Sequence, residues 1–227
     1  MAFRDLIDDA SHMGWTSAVL GRVMYRLEDF LGLSVFRVNT RPLGTQHDST
    51  APALPGITIR EVNADELLEA ARDPALDLEP LFVREALARG DLAWGAFEHG
   101  KLVCYTWRAF SKAPFTDGFW VRVPAPFQYG YKSFTLPSHR GRGLYPAVGR
   151  IADQRSGELG CPAMLHLVNV ANMASLRAAH QLGSRKAGYA GYFKFFARRL
   201  AFRTAAARAI GVELYLPRSG SPLADSQ

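Results

Sequence analysis

Ser133-Phe134-Thr135-Leu136-Pro137-Ser138-His139-Arg140-Gly141-Arg142-Gly143-Leu144-Tyr145-Pro146 reads as the end of a strand, a short basic glycine loop and the first turn of a helix. A loop of this kind leaves backbone N–H groups without partners at a helix N-terminus, where the helix dipole also favours negative charge. Gly141 and Gly143 let the backbone approach a ligand closely, and Arg140 and Arg142 add positive charge beside it. Pro146 suits a first helical turn, because its missing N–H would have had no intrahelical partner there. The stretch calls for a phosphate-bearing ligand.

Two familiar phosphate loops fail on residue identity. A dinucleotide-binding fingerprint needs a third glycine where Pro146 stands, and a P-loop needs Lys-Ser or Lys-Thr where Leu144-Tyr145 follows. Working back from the loop, Phe127 to Thr135 is a strand, with Tyr129, Tyr131, Ser133 and Thr135 expected on one face and Lys132 and Phe134 on the other. Pro124 and Pro126 separate it from a short strand over 119–123, and residues 111–118 form a loop. Leu92 to Glu98 and Lys101 to Phe110 form a hairpin about a His99-Gly100 turn. Residues 57–62 alternate as a strand, and Asn63 with Glu66 makes a capping box for a helix over 64–72. A second helix spans 78–89.

Forward from the loop, a helix runs to about Glu158, followed by a buried strand over 163–168 and a helix from Asn172 to Leu182 closed by Gly183. Arg185 to Ala197 is a long aromatic strand, 201–209 a helix and 212–216 a last strand. The tail, 217–227, is rich in Ser, Pro and Asp and reads as disordered. Residues 15–32 carry apolar side chains at helical spacing, and Ser34 to Val38 form a short strand. The polar face of that helix holds both charge signs, so it is expected to dock on the main domain and not on a membrane. The organisation expected is an N-terminal helical extension over 1–41, a Pro/Gly/Ser linker over 42–56 and a main domain over 57–216.

The 227 residues suffice for one sizeable core, and a hydrophobic content of 48% with 21% charged residues is ordinary for a globular chain. A net charge of +6 suits anionic ligands or acidic partners. Cys104 and Cys161 lie in strand regions without metal-ligand spacing and read as buried thiols of a reducing compartment. The N-terminus lacks the apolar core of a signal peptide, and no run reaches the roughly 18 apolar residues of a membrane span. A cytoplasmic location is expected. Lys194, Arg198, Arg199, Arg203 and Arg208 read as a basic run for nucleic acid or equally as the solvated face of a helix, and no recognition motif accompanies them.

Arg140-Gly141-Arg142-Gly143, after Thr135-Leu136-Pro137, resembles motif A of the GNAT superfamily of acyl-CoA-dependent N-acyltransferases. That motif is Arg or Gln, two residues, Gly, one residue, then Gly or Ala, after a strand ending Val-x-Pro. Arg140 and Gly143 take the first and fourth positions, while Tyr145 departs from the small sixth residue. Asn172-Met173-Ala174-Ser175, with Leu182-Gly183, resembles motif B, Ser184 replacing its Phe. The resemblance covers roughly 57–216. It implies a mixed α/β fold whose central sheet is largely antiparallel, splayed at the cofactor site and flanked by helices.

The resemblance also implies a division of roles. The free backbone groups of Phe134, Thr135 and Leu136 would bind the pantetheine arm and polarise the thioester carbonyl. The amides from Arg140 through Gly141, Arg142, Gly143 and Leu144 to Tyr145 would hold the pyrophosphate, and Asn172 would meet the cofactor arm near its acyl end. The Tyr that many members place seven residues after the motif B Asn is Ala179 here, so the neighbouring His180 is the candidate general acid. Tyr129 and Tyr131 are candidate substrate-binding residues. The activity implied is transfer of acetyl from acetyl-CoA, without a metal, to a primary amine of a small molecule or peptide. A longer acyl donor such as acyl carrier protein, or a non-catalytic CoA-binding or sensing module, is the alternative.

Overall fold

The computed structural model describes residues 30–43, 54–196 and 198–217, together with Val23, Tyr25, Arg26 and Glu28. The expectations for 1–22, for most of the linker and for the tail beyond Pro217 lie outside the described residues. The chain divides into two compact units: Arg41–Leu165 with the residues from Leu216, and the residues up to Thr40 with His166–Tyr215. Each is described by itself.

In the first unit, strands β2 (Ile57–Glu61), β3 (Leu92–Glu98), β4 (Lys101–Ala109) and β7 (Phe127–Thr135) are antiparallel neighbours in that order. The start of β8 (Ala163–Asn169) runs parallel to β7. Helices α1 (Ala64–Ala70), α2 (Pro80–Ala88) and α3 (Leu144–Glu158) flank this sheet. The expected loop over 111–118 contains a short strand, β5 (Lys112–Pro114), which pairs with β6 (Trp120–Arg122).

Local chemistry accounts for most of these elements. The capping box forms as the sequence predicts: the Asn63 side chain accepts from the Glu66 N–H at 2.9 Å and the Glu66 carboxylate accepts from the Asn63 N–H at 3.2 Å. His99 and Gly100 both have positive φ, the conformation that a two-residue hairpin turn matching the strand twist requires. Leu144, Val148 and Ala152 recur every four residues along α3 and are buried with Trp94, Ala96, Val103 and Cys104. Burial of a Leu or Val side chain contributes roughly 1.5–3 kcal/mol, so this stripe anchors α3 to one face of the sheet.

The expected faces of β7 are corrected by a bulge. Tyr131 pairs with Trp107, but Phe134 pairs with Tyr105, so two residues of β7 oppose Thr106 alone, and Lys132 takes a φ of 43°. Beyond the bulge the alternation inverts. Phe134 joins Tyr129 and Tyr131 on the face covered by α2, its ring stacked on Tyr105 at 5.9 Å. Ser133 and Thr135 turn to the α3 face, where the Ser133 hydroxyl meets that of Thr106 at 2.8 Å and Thr135 donates to the Cys104 sulfur at 3.1 Å.

The second unit holds β1 (Leu33–Pro42) as far as Thr40, the end of β8, α4 (Met173–Gln181), β9 (Arg185–Phe195), β10 (Arg198–Arg203), α5 (Ala205–Ala209) and β11 (Glu213–Tyr215). β9 is flanked by β1 and β10, both antiparallel to it. The segment expected as an N-terminal extension therefore carries a ten-residue strand of this sheet, longer than the expected 34–38. The helix expected over 201–209 is also corrected. Arg198 to Arg203 pair with β9, and α5 begins only after Thr204, whose hydroxyl accepts from the Ala207 N–H at 3.4 Å. Non-local pairing overrides the helix preference of Leu200, Ala201 and the arginines there. Of the two free cysteines, Cys104 is buried in β4, whereas Cys161 is half-exposed and precedes β8.

Candidate functional site

The glycine loop lies wholly in the first unit. After β7 the Leu136 N–H donates to Val103 at 2.9 Å, and Pro137–His139 make one tight 3-10 turn. Gly141 and Gly143 then adopt φ of 76° and 73°, and Gly143 caps α3. A Cβ on Gly143 would meet nothing within 4 Å, so glycine is needed there for its left-handed conformation and not for room. Among the described residues the amides of Gly141, Arg142 and Gly143 donate to no acceptor. With the first amides of α3 they make a row of donors at the positive end of a 15-residue helix. That donor row fits a diphosphate.

The two loop arginines differ in setting. Arg142 donates to Glu98 Oε1 at 2.7 Å, and His139 Nε2 lies 2.9 Å from Glu98 Oε2, with the Ser138 hydroxyl 2.8 Å from His139 Nδ1. Hydrogen bonds from Arg142 and then His139 hold the Glu98 carboxyl down at about 2. The charge of Arg142 is thus matched within the protein. Arg140 is exposed, donates from Nε to the Thr135 carbonyl at 3.4 Å, and has no carboxylate partner among the described residues. Tyr145, the unexpected large residue of the first helical turn, packs inward on the Trp94–Leu144–Val148 cluster.

β7 presents different chemistry on its two faces. On the α2 face Tyr129 and Tyr131 are buried with rings stacked 5.9 Å apart, and Phe82 of α2 meets Tyr131 and Trp107 edge-on. The Tyr131 hydroxyl donates to Asp91 Oδ2 at 2.6 Å, and Arg89 donates to the same oxygen at 2.9 Å. Burial pushes the Asp91 carboxyl up, against the pull of Tyr131 and Arg89, and it pushes both tyrosine hydroxyls up as well. On the α3 face Asp153 accepts from Arg41 at 2.5 Å and from Arg108 at 3.4 Å, all three side chains being buried. Arg108 also donates to the Thr106 hydroxyl at 2.8 Å. The β7–β8 ladder registers only Phe127–Tyr129 with Ala163–Leu165, and β7 continues through Gly130–Thr135 beyond it.

The other candidates belong to the second unit. Asn172 caps α4, its side-chain oxygen accepting from the Ser175 N–H at 3.0 Å. His180 is exposed in the last turn of α4, and Ala179 beside it is buried. Sequence reasoning missed Glu98, Asp91 and the Asp153 group, because Arg142, Tyr131, and Arg41 with Arg108 reach them from distant parts of the chain; Arg89, two residues from Asp91, was missed with it. No group of three His, Cys, Asp or Glu that could hold a metal occurs among the described residues.

No protein-family model matches the chain, and no curated protein matches it. Solved structures do. The chain is similar to structures of GNAT-family acetyltransferases. One, a GNAT-family protein from Novosphingobium aromaticivorans, is 19% identical with a TM-score of 0.47 over 68% of this chain and 60% of that one. Another, AAC(6')-Iy in complex with the bisubstrate analog CoA-S-monomethyl-acetylneamine, is 22% identical with a TM-score of 0.45 over 65% of this chain and 97% of that one. A third, the aminoglycoside 6'-N-acetyltransferase AAC(6')-Ih from Acinetobacter baumannii, is 15% identical with a TM-score of 0.45, covering 66% and 98%. The chain thus spans 60% of the length of the first and nearly all of the other two.

Proposed function

We propose that the chain is an acyl-CoA-dependent N-acyltransferase that transfers acetyl from acetyl-CoA to a primary amine of a small molecule or peptide. The observation that carries this reading is the row of unpartnered amides at Gly141–Gly143, at the N-terminus of α3 and directly after β7. In it, the amides from Arg140 to Tyr145 hold the pyrophosphate, Arg140 supplies the unmatched charge, and Phe134, Thr135 and Leu136 offer backbone groups to the pantetheine arm. Asn172 contacts that arm. The amine attacks the thioester carbonyl directly: a C–N bond forms, the C–S bond breaks, the ammonium proton passes to water, and the thiolate takes a proton from His180 or water.

Ala179 at the position of the usual tyrosine acid favours a second reading, a CoA-binding sensor without turnover. Thermal unfolding with acetyl-CoA and with longer acyl-CoAs separates the outcomes. A ligand at a hundred times its Kd adds about 2.7 kcal/mol of stability, so wild type should shift upward and Arg140→Glu should not. No shift with any CoA species sinks the reading; the largest shift identifies the acyl length. Free-thiol release with a panel of amines then distinguishes enzyme from sensor. Within an active enzyme, His180→Ala should lower kcat more than CoA affinity; unchanged kcat removes it as the acid.

A further inference from the structure

The second unit carries a further surface, apart from the residues assigned above to acyl transfer. From Arg185 to Val212 the chain holds seven Lys or Arg and no Asp or Glu. At the centre of this run is the β9–β10 hairpin, closed by the pair Phe195–Arg198, with Phe196 in its turn. Phe196 has a φ of 52°, a conformation bulky side chains rarely adopt and hairpin turns usually assign to Asn or Gly. It is 93% exposed and Phe195 61%, their rings edge to face at 4.7 Å. At the same end the Lys194 N–H donates to the Gly32 carbonyl at 2.7 Å. Within two residues of that contact, Phe30 and Leu31 are 86% and 59% exposed.

Single exposed apolar residues are ordinary, but four large ones at one end, rimmed by cations, mark an interaction surface. We infer that this end of the second unit docks on an anionic membrane surface. The phenylalanines project from a hairpin turn instead of lining a groove, which suits entry into the headgroup boundary more than a pocketed protein partner. Leu31, and Leu200 on β10, have no ring to stack on a base, which argues against single-stranded nucleic acid. Lys194, Arg198 and Arg199 flank the apolar tip, where basic side chains meet anionic headgroups while their stems stay in the apolar layer. Among the described residues no helix is long and apolar enough to cross a membrane, and the contact proposed is peripheral.

Co-sedimentation of the full chain with vesicles tests this. Phosphatidylcholine vesicles carrying about 30% phosphatidylglycerol should bind it at least roughly tenfold better than phosphatidylcholine alone. The double variant Phe195→Ser, Phe196→Ser should lose on the order of a hundredfold, and Arg198→Glu roughly tenfold. Both variants should keep the wild-type melting temperature, since the side chains are exposed. Absence of binding to the anionic vesicles overturns the inference, as does undiminished binding by the double phenylalanine variant. Binding of polyuridylate in place of vesicles, or self-association abolished by the same variant without vesicle binding, overturns it in favour of that partner.

Discussion

Two carboxylates near α3 do the same chemistry in opposite settings. Asp153, on the buried side of the helix, accepts from Arg41 and Arg108; Glu98, at the β3–β4 turn, accepts from Arg142 and His139 beside the glycine loop. The first group is out of water, and burial lowers the affinity of Arg108 for its proton even as Asp153 raises it. Its three side chains are shut away from solvent, so it is part of the framework. The second is partly in water, where solvent and salt screen the Arg142–Glu98 pair and its contribution to stability is small. Burial therefore separates the arginines that hold the sheet together from those available to an anion.

The largest expected effect lies on the buried side. Asp153→Ala should destabilise the protein by about 3–5 kcal/mol in urea unfolding, because two guanidinium groups are left uncompensated out of water. A loss no larger than that of a surface substitution would break the comparison. Next come the loop arginines, read by CoA titration. Arg140→Gln should weaken binding roughly tenfold and Arg142→Gln less than about threefold, since only Arg142 already has a carboxylate partner. Equal losses would mean that Glu98 gives Arg142 up to the ligand.

The smallest effect is a pH dependence at Glu98. Its folded-state carboxyl is lowered from 4.5 to about 2, so its contribution to stability is present above about pH 4.5 and is lost as pH falls through about 2. In calorimetry, the melting-temperature gap between wild type and Glu98→Gln should be constant above about pH 4.5 and close between there and about pH 2. Molar salt should shrink the same gap at neutral pH and leave that of Asp153→Ala nearly unchanged.

Elements governed by neighbours in sequence were legible in advance. The Asn63 capping box, the His99-Gly100 turn and the bounds of Phe127–Thr135 follow from residue types a few positions apart. The bulge in β7 was not, because a lysine carries no preference for the left-handed conformation that Lys132 adopts. Its consequence, Ser133 and Thr135 exchanging faces with Phe134, follows from pairing with β4 and could only be seen once that register was set. The β10 strand was misjudged for the same reason. Its arginines, Leu200 and Ala201 favour a helix locally, and the ladder to β9 outweighs them.

The loop itself divides along this line. Glycines at 141 and 143 and proline at 146 are enough, by backbone sterics alone, to shape a turn that feeds amides into a helix N-terminus, so the sequence determined the cradle. Which arginine keeps an unmatched charge beside it was decided only by the tertiary structure. Glu98 reaches Arg142 across 44 residues of chain, and an ion pair forms between groups that folding brings together, whatever their distance in sequence.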